Sequence, residues 1–171
     1  MPTFTPLITE QQIQEETARV ATQISKDYED KDLILMGILK GSFIFLADLS
    51  RKLTVSHEVD LLGASSYQGT ASTGALEFTK YPDLDLKNRD ILLVEDIVDT
   101  GRTLVAITEY IENLNPNSLK ICTLIDKHER RELNIKVDYA CFSLEKGFIV
   151  GYGLDYNEKY RHLPAIYDLE L

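Results

Sequence analysis

The 171-residue sequence has no tryptophan, two methionines, five prolines and only two cysteines. Cys122 and Cys141 stand far apart in apolar stretches and form no CxxC pair, so a zinc or dithiol redox motif is excluded and reduced core thiols are expected. Positive charge is also scarce: 18 lysines and arginines face 28 aspartates and glutamates, a formal charge of −10. This balance argues against a general grip on nucleic acid or an anionic membrane, so any anionic ligand has to be held locally. No stretch approaches the roughly 18 apolar residues of a membrane span, and the start, MPTFTPLITEQQIQEE, lacks the basic and apolar regions of a signal peptide. A cytoplasmic protein with neither membrane nor nucleic-acid partners is expected. Also missing is any GxxxxGKS/T loop, which excludes a P-loop nucleotide hydrolase, while Gly151-Tyr152-Gly153 lacks the third glycine of a dinucleotide fingerprint.

What is present is ordinary globular material, 44% hydrophobic and 27% charged, in a length that suits one domain over residues 1–171. Thr9 with Gln12 makes a capping box ahead of a helix over 10–29. Leu33 to Ile38 is a continuous apolar run, right for a strand covered on both faces. A helix over 43–53 and a strand over 59–64 follow. The small polar stretch SSYQGTASTG at 65–74 reads as a loop. Strands are predicted at 75–80, 91–94, 119–125, 137–142 and 148–152, with a helix over 104–114 that stops at Asn115-Pro116. Apolar strands alternating with helices predict an α/β fold on a mostly parallel central sheet flanked by helices. Ligands of such sheets bind beyond the carboxyl ends of the strands.

At one such end stands VEDIVDTGRTL, residues 94–104. Glu95 and Asp96 are adjacent carboxylates at the mouth of a buried strand, costly there unless solvated, paired or ligated. Together they can accept hydrogen bonds from a vicinal diol, or help hold magnesium. Asp99-Thr100-Gly101-Arg102-Thr103 then opens a helix, whose free N–H groups and dipole favour an anion. Surface acids and a plain helix cap would explain any of these residues singly. A diol grip beside a phosphate cradle fits a ribose 5-phosphate better.

The segment resembles the 5-phosphoribosyl 1-pyrophosphate (PRPP) motif of the phosphoribosyltransferases. Leu39-Lys40-Gly41-Ser42, Ser66-Tyr67, Leu124 to Lys127, Phe148 to Tyr156 and Arg161 to Pro164 match, in order, the hypoxanthine-guanine phosphoribosyltransferase family over roughly residues 35–165. The resemblance implies the type I phosphoribosyltransferase fold with a small hood region. It also implies purine salvage: transfer of the 5-phosphoribosyl group from PRPP to N9 of a 6-oxopurine base, giving a nucleoside monophosphate and pyrophosphate.

The same resemblance distributes roles. Glu95 and Asp96 would bind the ribose hydroxyls directly or through Mg2+, with Asp155 a further metal ligand. Asp99, Thr100, Gly101, Arg102 and Thr103 would cradle the 5-phosphate, and the Asp99 carboxylate would serve as acid/base facing N7. Lys40, Gly41 and Arg161 would hold pyrophosphate, with a cis peptide expected at Lys40-Gly41. Lys127 would donate to O6 of the base, which an ammonium with donors only can do for a 6-oxo group and not for the amino group of adenine. Phe148 would stack on the purine, and Ile149 would offer its backbone. Ser66 and Tyr67 would lead a lid that excludes water from the electrophilic sugar. A homo-oligomer, dimer or tetramer, is expected. The competing class is a PRPP-sensing regulator that binds nucleic acid, for which a −10 chain offers no obvious basic surface.

Overall fold

The computed structural model describes residues 3–66 and 76–170. Along the chain run β1 (Thr3–Ile8), α1 (Glu10–Asp27), β2 (Leu33–Leu39), α2 (Phe43–Lys52), β3 (His57–Ser66), β4 (Leu76–Lys80), β5 (Asp90–Val98), α3 (Arg102–Glu112), β6 (Ser118–Lys127), β7 (Tyr139–Leu144), β8 (Ile149–Val150) and β9 (Ile166–Glu170). Six strands form the central sheet in the order β4-β3-β2-β5-β6-β7. All its pairs are parallel except that of the edge strand β4. After β2 the chain builds to one side and then returns, so that β5 pairs with the other side of β2. Side loops diverge at such a reversal and leave a crevice at the strands' carboxyl ends.

The apolar runs in β2 and β5 are unbroken because both faces are covered. Leu33, Leu35, Leu92 and Val94 pack with Ile24, Phe45 and Leu49 of α1 and α2. Their alternating neighbours Ile34, Met36, Ile91 and Leu93 pack with Leu104, Ile107 and Ile111 of α3 on the opposite face. The capping box forms as predicted: the Gln12 amide donates to Thr9 Oγ1 at 3.2 Å and the Thr9 amide to Gln12 Oε1 at 2.8 Å.

Boundaries depart from the sequence reading in instructive places. β5 continues four residues beyond its apolar run, and β6 continues through Asp126 and Lys127, because parallel pairing of Val98 with Asp126 carries both strands past the core. The strand predicted over 148–152 shrinks to Ile149–Val150, since Gly151, Tyr152 and Gly153 all take positive φ and turn the chain. Two unpredicted strands, β1 and β9, pair antiparallel, and with β8 they form the small hood sheet. Apart from its last residue β1 is exposed or half-exposed, so it has no buried period to read.

Candidate active site

Beyond the carboxyl ends of β2 and β5 lies a cavity of about 320 Å³. Its floor is the loop from β5 to α3. Gly101 caps α3 with φ 86°, the left-handed region that favours glycine, and a Cβ there would also stand 3.0 Å from the Leu133 carbonyl oxygen. Asp99, Thr100, Gly101 and Thr103 line the cavity. The Arg102 side chain does not: it is exposed and pairs with Glu132, because the first helical residue after the cap is rotated outward.

Glu95 and Asp96 form one wall. Asp96 is buried and its Oδ1 accepts from the Ile97 amide at 2.8 Å, while Glu95 Oε1 accepts from the Asp96 amide at 3.1 Å. Burial, reinforced by the neighbouring Asp96 charge, holds the Glu95 carboxyl well above the usual range. Burial also raises Asp96, against hydrogen bonds and the Arg161 charge that pull it down. Such a pair is stabilised by hydroxyl donors or by a cation. Gly41 packs directly on it, since a Cβ on Gly41 would lie 1.8 Å from Asp96 Oδ2.

The adjoining wall comes from the end of β2 and the segment after β8. Lys40 Nζ reaches Glu158 at 2.9 Å, and Arg161 Nη2 reaches Asp155 at 3.0 Å and Glu158 at 3.3 Å. Arg161 Nη1 also donates to the Gly153 carbonyl at 2.7 Å. Lys40, Gly41, Asp155 and Arg161 thus gather around one cavity. The cis peptide expected at Lys40-Gly41 instead lies one bond earlier, at Leu39-Lys40. That is where β2 ends and the chain turns, with Ser42 Oγ bonded back to the Ile38 carbonyl at 2.7 Å.

Lys127 and Phe148 line a second cavity of about 600 Å³, under the hood sheet. Lys127 is a buried lysine whose ammonium lies 3.3 Å from the Glu129 carboxylate. Phe148 presents an exposed ring, edge-on to Tyr156 with centroids 5.5 Å apart. Ile149 is buried in β8 and its side chain belongs to the core rather than to the cavity. Arg130 joins the two cavities: it lines the second and its Nη1 stands 3.6 Å from Asp99 Oδ2, in the first. Asp99 Oδ1 is buried and has no hydrogen-bond partner among the described residues. Ser66 closes β3 by pairing with Leu76, whereas Tyr67 and the rest of the expected lid lie outside the described residues.

Residues 7–157 match the family model of the phosphoribosyl transferase domain. The chain is 46% identical over 163 residues to hypoxanthine phosphoribosyltransferase of Escherichia coli (strain K12), covering 94% of this chain and 92% of that protein. It is 42% identical over 161 residues to hypoxanthine-guanine phosphoribosyltransferase of Streptococcus pyogenes serotype M3, covering 94% and 89%. The chain belongs to the hypoxanthine-guanine phosphoribosyltransferase family. A crystal structure of a hypoxanthine phosphoribosyltransferase from Staphylococcus aureus superposes with a TM-score of 0.92 at 42% identity, covering 96% of this chain and 90% of that one.

Within this family fold, the carboxylates of Glu95, Asp96 and Asp155 are an all-oxygen donor set suited to a hard divalent cation. No cluster of three or more candidate ligands occurs among the described residues. Glu129, Arg130 and Glu158 escaped the sequence reading. Charged residues in short loops carry no local signal that separates a site from a solvated surface.

Proposed function

We propose that the chain transfers the 5-phosphoribosyl group of PRPP to N9 of hypoxanthine or guanine, forming IMP or GMP and releasing pyrophosphate. One observation carries this reading: Asp99, in the cavity of Glu95, Asp96 and the loop that opens α3, stands 3.6 Å from Arg130, which lines the cavity of Lys127 and Phe148. The sugar phosphate occupies the first, anchored at the amides opening α3. The base occupies the second, with Lys127 donating to O6, Phe148 against the ring face, and the Ile149 backbone towards the 2-position.

The bond from C1 of the ribose to the pyrophosphate oxygen breaks, the bond from C1 to N9 forms, and the base gives up one proton. Developing positive charge on the sugar is met by the acidic wall, Glu95 and Asp96. Lys40, Gly41 and Arg161 receive pyrophosphate, and Glu158, which bridges the two cations, has to yield to it. Asp99, whose Oδ1 has no hydrogen-bond partner among the described residues, would accept or stabilise the proton at N7. Glu95, Asp96 and Asp155 would hold a magnesium ion together with oxygens of the substrate, and the ion would supply charge neutralisation at the leaving group.

No helix among the described residues is long and apolar enough to cross a membrane. A cytoplasmic salvage enzyme that works as a homo-oligomer completes the proposal. Incubation with PRPP, magnesium and hypoxanthine tests it: one IMP and one pyrophosphate per base consumed is expected. PRPP-dependent binding to nucleic acid without turnover would favour the regulator.

A further inference from the structure

Arg131 belongs to no predicted motif, yet its guanidinium is largely buried beneath the phosphate loop. Its Nε donates to the Asp99 carbonyl at 2.9 Å, and its Nη2 donates to the carbonyls of Val98 at 3.1 Å and Lys127 at 3.0 Å and to the Asp126 carboxylate. The next two residues continue the clamp, the amides of Glu132 and Leu133 donating to the Thr100 carbonyl at 3.0 and 3.1 Å. The carbonyls of Val98, Asp99 and Thr100 are therefore all engaged by one short segment, 131–133.

A trans peptide points its C=O and N–H in opposite directions. The peptides from Asp99 to Thr100 and from Thr100 to Gly101 are trans, so their amides turn away from the clamp. Neither the Thr100 nor the Gly101 amide has a hydrogen-bond partner among the described residues, and both residues line the first cavity. Two adjacent amides held in this way form an anion-binding concavity. The Arg131 charge is matched by Asp126, so the arginine contributes orientation to this site rather than net charge.

We infer that Arg131 is a positioning residue for the transferred 5-phosphate: it fixes the Thr100 and Gly101 amides from behind and, through the Lys127 carbonyl, ties the phosphate loop to the strand end that presents the purine-binding lysine. The arginine fork suits this task because its planar donors reach several fixed acceptors at once, which a lysine ammonium on a flexible stem cannot do.

The inference rests on the phosphoribosyl transfer proposed above, and steady-state kinetics in both directions separate the two. Misplacement by about 1 Å can cost on the order of 10²-fold, so Arg131→Gln should raise the Michaelis constants for PRPP and for IMP by about tenfold or more. The constant for pyrophosphate, which carries no 5-phosphate, should stay within about twofold under the same reasoning. Arg131→Lys should be nearly as defective, because geometry and not charge is what it loses. If both variants fail to fold, Asp126→Asn, which loosens the guanidinium without removing it, must show the same split. Unchanged constants for PRPP and IMP, an equal rise for pyrophosphate, or full rescue by lysine would overturn the inference. A wild-type chain that does not turn over PRPP would instead overturn the functional reading.

Discussion

A single added methyl group at Gly41 should disable the enzyme. The loop after β2 is wedged from both sides. On one side, a Cβ at Gly41 would lie 1.8 Å from Asp96 Oδ2 and 2.5 Å from its Cγ. On the other, the Gly41 carbonyl oxygen already stands 2.1 Å from where a Cβ of Gly153 would be, so the loop has little room to retreat. Asp96 must therefore yield by roughly 1.5 Å to restore van der Waals separation. Its strand is pinned between β2 and β6, so the side chain has to rotate and give up the 2.8 Å hydrogen bond from the Ile97 amide. Losing a hydrogen bond to a charged acceptor costs about 1.5–3 kcal/mol, and overpacking about 1–3 kcal/mol more. Gly41→Ala should accordingly lower Tm by several degrees. Displacing the acidic wall or the loop after β2 by about 1 Å should reduce kcat/KM for PRPP on the order of 10²-fold. Differential scanning fluorimetry and a pyrophosphate-release assay read the two effects. A variant with wild-type Tm and kcat/KM would refute the packing argument.

Asp99→Asn should lower kcat by about 10² or more while leaving the Michaelis constants for PRPP and base nearly unchanged, as steady-state kinetics would show. Lys127→Met should reduce kcat/KM for hypoxanthine by at least about 10²-fold, and the loss should lie in the base constant and kcat rather than in the PRPP constant. Glu95→Gln removes a carboxyl whose ionised form is disfavoured by desolvation and by the Asp96 charge, so Tm should rise while kcat/KM for PRPP falls, a trade of stability for function measurable on one preparation. Burial pushes the Cys141 thiol up to about 12 and also holds Cys122 well above its ordinary value. The folded chain then keeps these protons while the unfolded chain releases them, so stability should be full below about pH 8.5 and fall as the pH rises towards 12. Thermal melts between pH 8 and 11 would check the slope, and a thiol reagent at neutral pH should label neither cysteine before unfolding.

The parts legible from sequence were those whose cause is local. The run Ile91 to Val94 is apolar because α2 and α3 cover opposite faces of β5, and the motif that resembles the PRPP site begins at the end of that same run. The hood was implied by resemblance alone. Its strands β1 and β9 join opposite ends of the chain, with Thr3 opposite Glu170, and β1 buries little, so no periodic pattern marks it. Arg102 stands in the motif, but helix geometry turns its side chain to Glu132, a direction that residue type does not reveal. Lys127 read alone is a surface lysine. Only the extension of β6 past the core buries it, and only the loop that follows brings Arg130 to Asp99. Arg131 was invisible for a similar reason, since its partners at Val98 and Asp99 are backbone carbonyls more than thirty positions away.

The most direct test is one comparison: kcat/KM with PRPP and magnesium for hypoxanthine, guanine, xanthine and adenine in turn. If the Lys127 ammonium donates to O6 as proposed, pyrophosphate is released with hypoxanthine or guanine, with a preference over adenine on the order of 10⁴. Adenine used as readily as hypoxanthine, or no pyrophosphate with any base, would contradict it.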